Sequence, residues 1–123
     1  MISIVDDDES IREATKGLVR SLGYRAMTFA SAEEFLQSDS LDETACLIAD
    51  VQMPGVDGLE LQRRLIALDR HVPTIFITAF PEEAARNTAF AAGAFGYLDK
   101  PFREESLLDC LEAALRNCGA RIP

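Results

Sequence analysis

Apolar residues fall along this chain in two rhythms. Short runs, apolar at nearly every position, occur at Ile2–Val5, Cys46–Ala49 and Thr74–Thr78, with weaker ones at Arg25–Phe29 and Phe95–Leu98. Longer segments between them repeat apolar residues at helical spacing. In the first, Ile11, Ala14, Leu18 and Leu22 share a face, and Gly23 is placed to stop the helix in a left-handed conformation. In the second, Ser31 with Glu34 forms a capping-box pattern ahead of Phe35 and Leu36. The third puts Leu61, Leu65 and Leu68 on one face. The fourth runs from about Pro81 to Ala92, is rich in alanine, and opens with Pro-Glu-Glu, a good helix start. Most of it, with Phe90 and the following Phe95, reads as core. The fifth aligns Leu107, Leu111 and Ala114.

The two rhythms alternate strictly, which predicts five strands and five helices. A strand half-exposed to water alternates apolar and polar residues, but the first, third and fourth runs do not. They read as strands buried on both faces, and hence as a parallel sheet with helices on both sides. The predicted fold class is α/β: a five-stranded parallel sheet, flavodoxin-like (βα)5, with strand order 2-1-3-4-5. At 123 residues, the whole span 1–123 reads as a single domain, large enough to hide roughly two-thirds of its unfolded surface.

Charge narrows the function. The formal net charge is −9, from 21 acidic and 12 basic residues. Such a surface repels nucleic-acid phosphate and anionic lipid, so no direct nucleic acid binding by this domain and no membrane contact are expected. Three cysteines, Cys46, Cys110 and Cys118, without a CxxC spacing, indicate neither a disulfide framework nor a zinc site. Cys46 and Cys110 lie in apolar runs and read as small core residues. The acidic N-terminus is unlike a signal peptide, and no apolar stretch approaches the ~18 residues of a membrane span. The expected location is cytoplasmic.

Ligands of doubly wound sheets collect beyond the carboxyl ends of the strands. Here Asp6, Asp7 and Asp8 follow the first strand, Asp50 the third, Thr78 and Ala79 end the fourth, and Asp99 and Lys100 follow the fifth. At least three carboxylates, a hydroxyl and an ammonium thus meet at one edge. Carboxylates so crowded need a counter-charge, and oxygen ligands of this kind suit Mg²⁺. Lys100 and Thr78 are the groups one would set against a phosphoryl group. The cluster reads as a phosphoryl-handling site with one carboxylate available as nucleophile. Each part also has a plain reading: "DDDE" as a helix cap, Asp50 as a turn cap, Lys100 as a loop lysine. His71, in "LDRHVP", reads as a solvated loop histidine rather than a phosphoryl relay.

The chain resembles the receiver domains of bacterial two-component response regulators. The matching stretches are "IVDDD" (Ile4–Asp8), "ADVQMPGVDGLEL" (Ala49–Leu61), "IFITA" (Ile75–Ala79) and "GYLDKPF" (Gly96–Phe102). The "DKPF" ending and "SAEEFL" are most similar to the FixJ-like branch. The resemblance implies that Asp50 is the phospho-acceptor of a histidine kinase. It implies Mg²⁺ ligation by Asp7, Asp50 and the backbone carbonyl of Gln52, with Asp6 acting partly through water. Lys100 would pair with the phosphoryl group, and the Lys100–Pro101 bond would be cis. Thr78 would move to the phosphoryl oxygen and Tyr97 would swing inward, reshaping the face of the fourth helix, fifth strand and fifth helix. Such a protein is no enzyme in the ordinary sense, but it assists its own phosphorylation and dephosphorylation. Its expected partners are a histidine kinase, an output domain or downstream protein regulating transcription, and a second copy of itself on phosphorylation.

Three positions depart from the commoner pattern. Gln52 stands two residues after the acceptor and Phe80 two after Thr78, where bulk at Phe80 is expected to shield an acyl phosphate from water. Arg103 stands where a Ser, Thr or Asp cap for the last helix is expected. Two other functions stay open. One is a small phosphatase similar to the haloacid dehalogenases, using Asp6, Asp8 and Ser10 at the end of the first strand. The other is a receiver fold that only binds proteins and is never phosphorylated.

Overall fold

In the computed structural model, residues 1–100 and 102–120 are described, with side chains through residue 116. The expected peptide geometry at Lys100–Pro101 and the side chain of Cys118 lie outside the described residues. Strands β1 (Ile2–Val5), β2 (Ala26–Phe29), β3 (Cys46–Asp50), β4 (Thr74–Thr78) and β5 (Gly96–Asp99) alternate with helices α1 (Glu9–Ser21), α2 (Ala32–Leu36), α3 (Gly58–Ala67), α4 (Glu83–Ala91) and α5 (Glu104–Ala120). All strand pairs are parallel, in the order β2-β1-β3-β4-β5. A short 3₁₀ turn at Asp39–Leu41 joins α2 to β3.

Every residue of β1, β3 and β4 is buried. Their side chains alternate between two cores, as strand geometry requires. Val5, Leu47, Ala49 and Phe76 pack on one face with Phe35 of α2, Leu61 and Leu65 of α3 and Ala89 of α4. Ile2, Ile4, Cys46, Ile48, Ile75 and Ile77 pack on the other with Val19 of α1 and Leu107, Leu111 and Ala114 of α5. A continuous apolar run is therefore two interleaved faces, each needing its own helices.

The helix signals translate into bonds. Asp8 caps α1, its carboxylate accepting from the Ile11 amide at 3.2 Å. Ser31 caps α2 through the Glu34 amide at 3.1 Å, and Asp57 caps α3 through the Glu60 amide at 2.8 Å. Gly23 leaves α1 at φ +95°, the left-handed stop expected of it. Cys46 is fully buried, while Cys110 is half-buried, its thiol set against Gly96 so closely that a Cβ there would sit 2.5 Å from the sulfur.

Two expectations fail. Leu68 is exposed rather than aligned with Leu61 and Leu65, because α3 ends at Ala67 and Leu68 is its C-cap. Helix α4 is mostly surface: Ala89 is its one buried residue among those described, and Phe90 is exposed. A single narrow stripe of α4 meets the core, and Gln62 of α3 ties it down by donating to the Ala89 carbonyl at 3.2 Å. Helix α4 also starts without a side-chain cap, at Glu83. Arg103 supplies only a carbonyl to α5, accepting from the Leu107 amide at 3.2 Å.

Candidate functional site

Register builds the site. Val5 pairs with Ala49, so Asp6 and Asp50 leave neighbouring strands at the same level. Asp50 is itself opposite Ile77, and Thr78 is opposite Asp99, with Lys100 donating its backbone amide to the Thr78 carbonyl at 2.8 Å. Four strands far apart in sequence thereby deliver Asp6, Asp50, Thr78 and Lys100 to one edge of the sheet.

Asp6 and Asp50 are buried carboxylates, and Lys100 lies between them. Its Nζ donates to Asp6 Oδ2 at 3.1 Å and to Asp50 Oδ2 at 3.0 Å. The remaining oxygens are held by main chain: Asp6 Oδ1 accepts from the Asp8 amide at 2.9 Å and Asp50 Oδ1 from the Gln52 amide at 3.0 Å. Burial pushes the Asp6 pKa up, against the lowering effect of the Asp8 amide and of Lys100. For Lys100, burial opposes the charge, but the bonds to Asp50 and Asp6 outweigh it and raise the pKa. One cation is thus shared by two buried anions.

Asp7 is exposed and adds a third carboxylate. One oxygen each from Asp6, Asp7 and Asp50 lie within 4.8 Å of one another. Three hard oxygen donors converging from two loops, with only one lysine to offset them, fit a divalent cation such as Mg²⁺.

Asp8 does not join them. Its carboxylate is spent on the first turn of α1, so "DDDE" divides between a site pair and a helix cap. This removes the pairing of Asp6 with Asp8 on which the phosphatase reading depends. His71 is equally remote from the chemistry, an exposed loop residue bonded to Asp69 at 3.0 Å.

Thr78 is fully buried, and its hydroxyl is engaged by Gln52 Oε1 at 3.3 Å and by the Phe80 amide at 3.1 Å. Phe80, two residues on, is 70% exposed. Tyr97 lies on β5, one strand over from Asp50's neighbour β4. Its ring is partly buried against the α2–α3–α4 core, 6.5 Å from Phe76. Among the described residues its hydroxyl is the one buried side-chain polar atom without a hydrogen bond. Burial raises its pKa, against the favourable Glu82 amide nearby, which does not reach hydrogen-bond geometry.

Comparison with known proteins agrees with this geometry. The family model of the response regulator receiver domain matches residues 2–112. The chain belongs to that family. This receiver is 43% identical to the response regulator protein TmoT of Ectopseudomonas mendocina over 116 residues, 94% of the chain and 53% of TmoT. It is 32% identical to the transcriptional regulatory protein FixJ of Bradyrhizobium diazoefficiens, over 94% of the chain and 56% of FixJ. Among solved structures, the response regulator StyR superposes with a TM-score of 0.87 at 40% identity, covering 98% of the receiver and 61% of StyR. The receiver therefore spans about half the length of the curated relatives it matches.

Two parts of the receiver's site escape sequence reading. Arg12, one turn into α1, donates to the Asp6 carbonyl at 2.8 Å and pins the loop that carries the carboxylates. Gly58 lies so close to the end of β3 that an added Cβ would stand 2.4 Å from the Asp50 carbonyl oxygen. The Asp-Gly pair at 57–58 reads as a helix start, and nothing local signals that Gly58 also abuts Asp50.

Proposed function

We propose that this chain is a phospho-accepting signalling switch, in which a histidine kinase transfers a phosphoryl group to Asp50. The observation that carries the reading is the single ammonium of Lys100 held between the buried carboxylates of Asp6 and Asp50. Mg²⁺ held by Asp7, Asp50 and the Gln52 carbonyl, with Asp6 partly through water, would offset the carboxylates and coordinate oxygens of the incoming group. In the transfer, the phosphorus–nitrogen bond of the donor histidine breaks as a phosphorus–oxygen bond to the Asp50 carboxylate forms. The imidazole leaves with the electron pair. The Gln52 amide orients Asp50, and Lys100 shifts its contact from Asp50 to a phosphoryl oxygen, compensating the charge that arrives.

Thr78 then turns its hydroxyl to the phosphoryl group. Its move draws on the loop that runs through Phe80 to Glu82, and Glu82 borders the Tyr97 hydroxyl. The change thereby reaches the face of α4, β5 and α5, a two-state element biased by new charge. A phosphorylation-dependent homodimer would form there, where Phe90 is exposed on α4.

The chain acts as one domain, 1–123, in the cytoplasm, and turns over no substrate other than its own acyl phosphate. It is coupled to an output domain or partner protein that regulates transcription. The names of TmoT and FixJ and their greater length support this placement. Among the described residues, no helix is long and apolar enough to cross a membrane.

Incubation with Mg²⁺ and a small phosphodonor, followed by mass spectrometry, tests the reading. One phosphoryl group is expected on wild type and none on Asp50→Asn. A wild-type chain that takes up no phosphoryl group would leave only the protein-binding alternative.

A further inference from the structure

Gln52 is engaged in this structure by its side chain as well as its backbone. The amide Nε2 donates to the Phe80 carbonyl at 3.4 Å, and Oε1 accepts from the Thr78 hydroxyl at 3.3 Å. The Phe80 amide in turn donates to Thr78 Oγ1 at 3.1 Å. These bonds form a closed ring from Gln52 to Phe80 to Thr78 and back. Its polarity is fixed by chemistry. A carbonyl can only accept, so the Gln52 NH₂ must face Phe80, which leaves Oε1 towards Thr78. A carbonyl oxygen cannot donate, so Thr78 must spend its one hydroxyl proton on Gln52.

We infer that Gln52 is a latch on Thr78, a positioning residue that holds the switch hydroxyl away from Asp50 until phosphorylation. The inference rests on the phospho-acceptor reading for its purpose, though not for its existence. A phosphoryl oxygen can only accept, so it competes with Gln52 for the same single proton. Thr78 cannot serve both. Opening the ring also releases Phe80, and with it the segment that leads to Glu82 and Tyr97. The latch grows from the loop that carries the acceptor, since the Gln52 amide itself donates to Asp50 Oδ1 at 3.0 Å. A change at Asp50 is thus two residues from the side chain that must let go.

The two Gln52 side-chain bonds are long, and Gln52 is exposed, so the latch is weak. Its loss should favour the switched state by about two- to tenfold, the worth of an ordinary net hydrogen bond.

Gln52→Met keeps the length of the side chain and removes both bonds. Two measurements on the chain judge the latch. The first is the χ1 rotamer of Thr78 from three-bond couplings to its methyl group, without ligand. Wild type should hold one rotamer and Gln52→Met should average several; an unchanged rotamer overturns the latch, whatever the site binds. The second is the apparent Kd for beryllofluoride, a phosphoryl mimic, with Mg²⁺. Gln52→Met should tighten it about two- to tenfold in the wild-type background and not at all in Thr78→Val, where there is no hydroxyl to latch. An equal gain in both backgrounds overturns the latch. If wild type binds no beryllofluoride, the phospho-acceptor reading falls, and the rotamer measurement still decides whether Gln52 restrains Thr78.

Discussion

The ammonium of Lys100 lies 3.0 Å from a carboxylate oxygen of Asp50, although 50 residues separate the two in the chain. The lysine follows β5 and the aspartate ends β3, with β4 between them. Because Asp6 claims the same ammonium at 3.1 Å, Lys100 is, among the described residues, the one side-chain cation bonded to both buried carboxylates.

Lys100→Met should therefore destabilise the chain by about 3 kcal/mol without Mg²⁺, the low end of the cost of breaking a buried ion pair, because the site mouth is open to water. Urea unfolding of both proteins measures this. A loss below 0.5 kcal/mol, the size of an ordinary surface effect, would show the pair to be solvated.

The same lysine carries a pH signature. Its folded pKa lies above the ordinary 10.5. Its contribution to stability is fully present below that value and is lost as pH rises through the folded pKa. Asp6 has the opposite consequence. Its pKa is raised from 3.8, so its ionisation opposes folding, and the penalty is relieved as pH falls through the folded value. The stability gap between wild type and Lys100→Met should thus narrow at strongly alkaline pH. Unfolding curves at pH 8 and pH 11.5 compare the two regimes.

Mg²⁺ should stabilise the folded chain by mass action, by about 2.7 kcal/mol at a hundred times its Kd. Thermal unfolding with and without the metal reads this out. Asp7→Ala should abolish most of the gain while leaving the metal-free stability near that of wild type, because Asp7 is exposed.

Asp8→Ala should behave in the opposite way. It removes the cap of α1 and should cost about 1 kcal/mol of stability, with the Mg²⁺ response kept. Equal effects of the two substitutions on metal response would show that the three aspartates act as one cluster.

Gly58→Ala should cost about 1–3 kcal/mol, because the added Cβ meets the Asp50 carbonyl oxygen at 2.4 Å and main chain must move. The same movement displaces Asp50, so phosphorylation by a small donor should slow beyond what the loss of stability explains. Gly17→Ala is the control. Gly17 is in α1 with no atom within 4 Å of the added Cβ, and the change should stabilise the chain by about 0.5–1 kcal/mol.

Much of this was legible in the chain alone. The runs at Ile2–Val5, Cys46–Ala49 and Thr74–Thr78 carried no alternation, and burial on both faces follows from that. Once the sheet order was set, the strand-end rule placed Asp6, Asp50, Thr78 and Lys100 together. The misses have a common cause. Whether Leu68 or Phe90 is covered depends on where a helix ends and how much of it meets the sheet, which periodicity does not encode. The nearness of Gly58 to Asp50, and of Gln52 to Thr78, depends on the path of loops in space. Asp8 was ambiguous because a helix cap and a metal ligand draw on the same residue type.

The position of β5 at the margin of the sheet has a mechanical consequence. Asp50 stands on a strand flanked on both sides, where almost any displacement breaks the pairing of two neighbours. Tyr97 stands on a strand with one hydrogen-bonded neighbour and a free outer flank. In the proposed switch, the reacting carboxylate thus sits at the doubly paired centre of the sheet, and the responding face borders a singly paired edge. A charge arriving at the centre would then be answered where the sheet has fewer bonds to break.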